Sequence, residues 1–187
     1  MKGVVFTEFL EMVEQKFGMD MVNNLLEQNE LSSGGVYSAV GTYHHSEMVT
    51  LVVDLSKRSG VELPDLLKAF GGYLFNTFKS GYPEMFASAT NGFEFLQSVD
   101  QEIHVEVLKL YPDASVPDFT TLERDGKRLK LLYRSERNIP ALAAGLIRGA
   151  ANMYDEDVDI EITATDDGCI LDLLFTAAVP TDPVTAR

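Results

Sequence analysis

The chain has 187 residues, 45% of them hydrophobic, with 29 Asp and Glu against 15 Lys and Arg, a formal net charge of −14 at pH 7. That length and apolar content suffice for one domain with a substantial core, and the acidic balance excludes nonspecific attraction to nucleic acid or to an anionic membrane. A single cysteine, Cys169, rules out an internal disulfide and any cysteine-rich zinc or iron–sulfur site, and fits a reducing compartment.

Residues 2–17 read as an amphipathic helix with Val5, Phe6, Phe9, Met12, Val13 and Phe17 at helical spacing and a stop at Gly18. Glu8 and Glu11 interrupt its apolar face, so it is neither a signal peptide nor a membrane span, and a cytoplasmic protein is expected. Phe9 and Met12 suit either a core or a ligand. A short helix covers about 20–29, and Ser32 to Gly35 form a loop. His44 and His45 invite a metal site, but adjacent side chains diverge and no third ligand stands at a recognisable spacing, so an exposed loop pair is expected. Residues 46–59 form a helix capped by Ser46 and ended by Gly60. Pro64 and Asp65 open another, running to Lys79. Gly71 and Gly72 within it lower helix propensity by roughly 1 kcal/mol each, a cost that close approach of another backbone or of a flat ligand would explain.

The stretch 91–111 is a strong helix pattern. Leu96, Val99, Ile103, Val107 and Leu110 form one stripe, and Phe93, His104 and Tyr111 fall on its shoulder at about 100° per residue. An imidazole so placed is either a core or boundary histidine or an axial ligand to a flat cofactor. After Pro112 the period changes: two alternating runs surround Asp125-Gly126, a helix spans 140–153, and a second hairpin turns at Asp166-Asp167-Gly168. The tail from Ala177 reads as loose. The fold class is therefore α+β, a mostly helical first two thirds followed by β-β-α-β-β and a four-stranded antiparallel sheet, with no internal repeat.

Tyr133, Ser135 and Arg137 alternate at the end of a strand and so share one face, spread over roughly 13 Å. A phenol, a hydroxyl and a guanidinium in a row suit a ligand with two separated carboxylates, though an ordinary solvated strand end would look the same. Between Phe119 and Ile139 the local net charge is +3. That is either an anion-facing patch or a basic strand balancing the acidic second hairpin.

His104 in a D-x-x-I-H-x-x-V helix, Pro117 thirteen residues later and the Tyr133-x-Ser135-x-Arg137 motif together resemble the H-NOX (heme nitric oxide/oxygen binding) domains, from residue 1 to Phe175. The resemblance implies a single heme domain over 1–177, a helical lobe at about 1–60 and a heme-holding lobe at about 61–177 with heme between them, and a loose tail at 178–187. It implies heme b with ferrous iron on His104, propionates held by Tyr133, Ser135 and Arg137, and Pro117 pressing the porphyrin out of plane. Oxygen-binding relatives place a tyrosine where this chain has Leu142, and tryptophan and asparagine where it has Phe9 and Leu74. With Val5, Phe78 and Leu146 these give a distal pocket without donors, which implies binding of NO and CO but no stable O₂ complex. Some relatives carry a Cys-rich zinc site; Cys169 alone cannot build one. The implied function is an NO sensor, not an enzyme, that signals to a separate histidine kinase or cyclic-di-GMP enzyme as NO weakens the iron–His104 bond. If His104 is only a boundary histidine, the alternative is a cofactor-free acidic interaction module.

Overall fold

The computed structural model describes residues 1–177; the tail expected at 178–187 lies outside the described residues. Four helices come first: α1 (Gly3–Phe17), α2 (Met19–Glu27), α3 (His45–Ser59) and α4 (Leu63–Gly81). A 3-10 turn, Pro83–Phe86, leads to a rod in three pieces: α5 (Gly92–Ser98), a π-helical turn (Val99–Ile103) and α6 (His104–Leu110). Strands β1 (Asp118–Asp125) and β2 (Arg128–Arg134), helix α7 (Pro140–Met153), and strands β3 (Glu156–Thr165) and β4 (Gly168–Ala177) complete the order. The sheet runs β1-β2-β4-β3 with every pair antiparallel, the α+β architecture expected from the periodicities.

The 3.6-residue stripes decide the first core. Phe6, Phe9, Met12 and Val13 of α1 meet Leu25 of α2, Leu51 and Leu55 of α3, and Leu66, Phe70 and Leu74 of α4, all buried. Each such side chain contributes about 1.5–3 kcal/mol by leaving water. The two-residue period decides the second core. Leu129, Leu131 and Tyr133 on β2, Leu171, Leu173 and Phe175 on β4, and Val158 on β3 form the inner sheet face, against Ala143, Ile147 and Ala151 of α7.

Helix α7 joins the two cores because its residues are small. A Cβ on Gly145 would sit 2.2 Å from the Lys68 carbonyl oxygen, and one on Gly71 would sit 2.3 Å from that of Leu142, so α4 and α7 cross with their backbones almost touching. Of the two explanations open for Gly71, close approach of another backbone is the one the fold uses. Both hairpins turn where expected, Gly126 adopting φ 54°.

The start of α3 differs from expectation. His44, not Ser46, is the N-cap: its Nδ1 accepts from the Ser46 backbone N–H, and His45 is the first helical residue, its ring stacked on that of His44 at 4.9 Å. A neutral imidazole nitrogen supplies the same acceptor that a hydroxyl would. Glu47, one turn in, is buried. It accepts from Ser32 Oγ and Tyr37 Oη at 2.8 Å each and from the Ser33 hydroxyl and backbone N–H, so it pins the loop between α2 and α3. Burial alone would push this carboxyl up, but the hydrogen bonds from Ser33, Ser32 and Tyr37 outweigh it and hold the group below its ordinary value. Among the described residues no helix is long and apolar enough to cross a membrane.

Glu47→Ala strands three hydroxyls and is expected to cost about 2–4 kcal/mol at neutral pH, read from thermal or denaturant unfolding. Because the folded-state pKa is depressed, Glu47's contribution is complete above the ordinary glutamate range and is lost as pH falls through the lowered value. The stability gap between wild type and variant should therefore narrow as pH is lowered below about 4.

Candidate functional site

The rod carrying His104 is one helix with one residue too many. The π-helical turn at Val99–Ile103 lets the His104 backbone N–H reach the Val99 carbonyl, and an inserted residue shifts everything before it by about 100° relative to everything after it. The consequence corrects the simple helical wheel. Tyr111, on the same side of the insertion as His104, shares its cavity, whereas Phe93 is rotated away and packs edge-on against Phe175 at 6.0 Å. The aromatic ring stacked on the imidazole is Phe119 of β1, at 5.9 Å and 25°.

Around His104 the hydrogen bonds fix the ring. Nδ1 lies 2.8 Å from Asp100 Oδ1, and the other oxygen of Asp100 accepts from the Phe119 backbone N–H at 2.7 Å. Burial pushes the imidazole below its ordinary pKa, with the Asp100 charge and hydrogen bond opposing, so the ring is neutral at neutral pH. With its one N–H given to the carboxylate, Nε2 carries the free lone pair and has no protein partner among the described residues.

His104 opens onto a cavity of about 330 Å³ between the helices and the sheet. One part of its wall is hydrocarbon, from Val5 of α1, Leu74 and Phe78 of α4, and Leu142 and Leu146 of α7; Leu96, Val99, Ile103 and Val107 add to it beside the histidine. Pro117, in the segment before β1, lines it as well, and so do Tyr133, Ser135 and Arg137. These last three are not one strand face, because β2 ends at Arg134 and the chain turns at 136–137. The turn gathers them instead: the Arg137 backbone N–H donates to Ser135 Oγ at 3.3 Å and Arg137 Nη1 donates to the Ser115 carbonyl at 2.8 Å, the rest of its guanidinium having no protein partner among the described residues. Burial raises the Tyr133 phenol, which therefore stays a donor.

The surrounding positive charge divides. Arg128 holds Asp172 in a two-pronged ion pair at 2.6 and 2.8 Å, Lys130 pairs with Glu123 at 3.0 Å, and Arg134 bridges Asp167 and Asp118. Those three balance acidic partners on the sheet and its turns, and Arg137 alone of the basic residues there reaches the cavity.

Of the residues that the resemblance assigned to the heme, all but Phe9 line the cavity; Phe9 is fully buried in the helical core, edge-on to Phe70 at 5.3 Å. Asp100 opens the D-x-x-I-H-x-x-V motif but had no role assigned to it, and neither Phe119 nor Tyr82 was expected at the site. Asp100 was detectable as the acidic residue one turn before the histidine. Tyr82, whose hydroxyl lies 3.3 Å from that of Tyr111, meets it only through the tertiary fold. The Met1 ammonium also lines this region, donating to the Tyr43 carbonyl at 2.8 Å; burial and then Arg137 lower its pKa.

One free imidazole lone pair, apolar walls and a separate anion-binding turn make the class of site that takes a flat metal macrocycle bearing two carboxylates. Residues 2–162 match the family model described as Haem-NO-binding, and the chain belongs to that family of heme-binding domains, the H-NOX domains. An unliganded Fe(II) H-NOX protein from K. algicida is 34% identical over the whole of both chains, with a TM-score of 0.88. An H-NOX from S. oneidensis in the Fe(II)NO state is 29% identical over 94% of this chain and 99% of that one, with a TM-score of 0.86. An H-NOX from Shewanella woodyi, solved bound to IWP-051 in the Fe(II)CO state, is 36% identical over both full chains, with a TM-score of 0.79. The soluble guanylate cyclase gcy-35 of Caenorhabditis elegans is 22% identical over 167 residues, 87% of this chain, which spans only 24% of that protein's length.

The residues present fit the family's cofactor: a neutral imidazole for iron, hydrocarbon for the porphyrin faces, and Tyr133, Ser135 and Arg137 for carboxylates. Arg137→Ala should speed heme loss to a scavenging apo-globin by roughly 10- to 100-fold, the worth of one charge-assisted hydrogen bond of about 1.5–3 kcal/mol. Ser135→Ala should give a smaller effect in the same assay.

Proposed function

We propose that this chain is a heme-based nitric oxide sensor with no catalysis of its own, whose output passes to a separate protein. The observation that carries the reading is His104, tethered through Nδ1 with Nε2 free, on a cavity with one wall built from the hydrocarbon of Val5, Leu74, Phe78, Leu142 and Leu146. Heme b, when bound, supplies the ferrous iron that captures the gas, and NO there weakens the bond to His104.

The chain's own groups then have definite tasks. His104 is the single protein bond to iron, and Asp100 keeps its lone pair directed outward. Tyr133, Ser135 and Arg137 hold the propionates, while Pro117 bears on the macrocycle. Release of His104 from a bound heme would free the proximal helix, and the helical lobe, residues 1–60, would shift against residues 61–177. Lys2 and Thr42 on one side both bind Asp113 on the other, at 3.0 and 2.8 Å, and this contact registers the shift.

Bound O₂ acquires negative character and gains from a hydrogen-bond donor, which NO on ferrous iron does not need. Val5, Leu74, Phe78, Leu142 and Leu146 offer none, and the hydrogen bond between Tyr82 and Tyr111 occupies one of the two phenol O–H groups that also line the cavity. This supports binding of NO and CO without a stable O₂ complex, in keeping with the relatives solved with NO and with CO. Val5, Leu74, Phe78, Leu142 and Leu146 likewise bring no acid–base group to that wall, which supports a sensor over a heme enzyme. Cys169 is buried on β4, so no structural zinc is proposed. A cytoplasmic location and a histidine kinase or cyclic-di-GMP enzyme as effector complete the reading.

The purified protein, expressed with adequate heme, should show a Soret band that moves when NO or CO is added to the reduced form, and no lasting oxy spectrum in air. A protein that takes up no heme on reconstitution would overturn the proposal. His104→Ala should lose heme unless free imidazole is supplied.

A further inference from the structure

We infer that Asp100 is a positioning residue that couples His104 to strand β1, so that movement of the imidazole is passed through one carboxylate to the backbone of Phe119, two residues beyond Pro117. The inference rests on the sensor reading above and names the route by which His104 acts on the sheet.

The geometry is a two-ended strut. One oxygen of Asp100 is 2.8 Å from His104 Nδ1 and the other is 2.7 Å from the Phe119 nitrogen, both at the short distances of hydrogen bonds to a charged acceptor. Each oxygen is thus held by a different element, α6 on one side and β1 on the other. Phe119 is the second residue of β1 and stands opposite Tyr133 in the β1–β2 ladder. Its ring repeats the connection in apolar form, stacking on the imidazole at 5.9 Å and tilting against Tyr133 at 5.4 Å. A push on His104 therefore reaches, by two contacts each way, the residue whose phenol faces the carboxylate-binding turn.

A carboxylate that merely capped β1 would not need the histidine, and one that merely set the tautomer would not need Phe119. Asp100 does both because the π-helical turn holds it one turn before His104 while β1 starts beside it. An asparagine retains one acceptor oxygen and presents an N–H₂ to whichever donor it faces second, so it severs the strut with little change of volume. A leucine removes both ends.

The test compares wild-type holoprotein with Asp100→Asn, reading three quantities: heme content, the iron–histidine stretching band of the ferrous form, and hydrogen exchange at the Phe119 amide before and after NO. Wild type should show a change in Phe119 exchange on adding NO. Asp100→Asn should keep its heme, lower the iron–histidine frequency, reduce by about tenfold the fraction of NO-bound protein that keeps the histidine ligand, and lose the NO-dependent change at Phe119. A variant with an unmoved iron–histidine band and an intact response at Phe119 overturns the inference while leaving the sensor reading in place. Wild type that takes up no heme removes both.

Should Asp100→Asn fail to fold, the strut is cut from the other end. His104→Gly is filled with imidazole, which can donate to Asp100, or with 1-methylimidazole, which cannot. A change in Phe119 exchange on adding NO with imidazole only supports the strut; the same change with both ligands, or with neither, overturns it.

Discussion

The crossing of α4 and α7 is the constraint on which the rest depends. Two helices can approach to backbone contact only where neither carries a Cβ, and Gly71 and Gly145 supply that on facing sides. The crossing sets Leu74 and Phe78 across from Leu142 and Leu146, which together wall one side of the cavity. It also lets a single helix serve both cores, because small residues cover the remaining faces of α7. Adding a methyl group at either glycine must separate the helices, and the cavity would open with them.

Opposite that wall, an irregularity does the positioning. A regular α-helix over 91–111 would have kept Phe93 and His104 on one face, and the π-helical turn separates them. The rotation frees Phe93 to complete the sheet's core beside Phe175 and brings His104 against Phe119. Insertions of this kind cost backbone hydrogen-bond geometry, and they persist where a side chain has to be aimed. Here the aimed side chain is the imidazole.

Electrostatics separate two jobs that the composition had merged. The sheet carries alternating charges whose ion pairs at exposed positions contribute little stability each, yet they neutralise Arg128, Lys130 and Arg134. Arg137, on a turn rather than a strand, is the basic residue of that segment that reaches the cavity. A basic segment in a strongly acidic chain is therefore mostly local balance, with one residue reserved for a ligand.

Local chemistry was enough to define most of the elements: stripes of Phe, Met and Leu at helical spacing, alternation around Asp125-Gly126 and Asp166 to Gly168, and glycine and proline stops. It also marked His104, Pro117 and the Tyr133, Ser135 and Arg137 turn, because those residue types at those spacings are unusual and carry chemistry. Three things were beyond it. The π-helical turn has no periodic signature distinct from an ordinary helix, so Phe93 was put beside His104. The lone pair of His44 replaced Ser46 as a cap, since either group can accept the same N–H. Phe9, open between core and ligand in the sequence, packs against Phe70 in the helical core, because a helical stripe tells which side of α1 is apolar and not which of its neighbours fills the space. Contacts such as Asp100 to Phe119, or Tyr82 to Tyr111, join residues far apart in the chain, and only the packing of helix against sheet brings them within hydrogen-bonding distance.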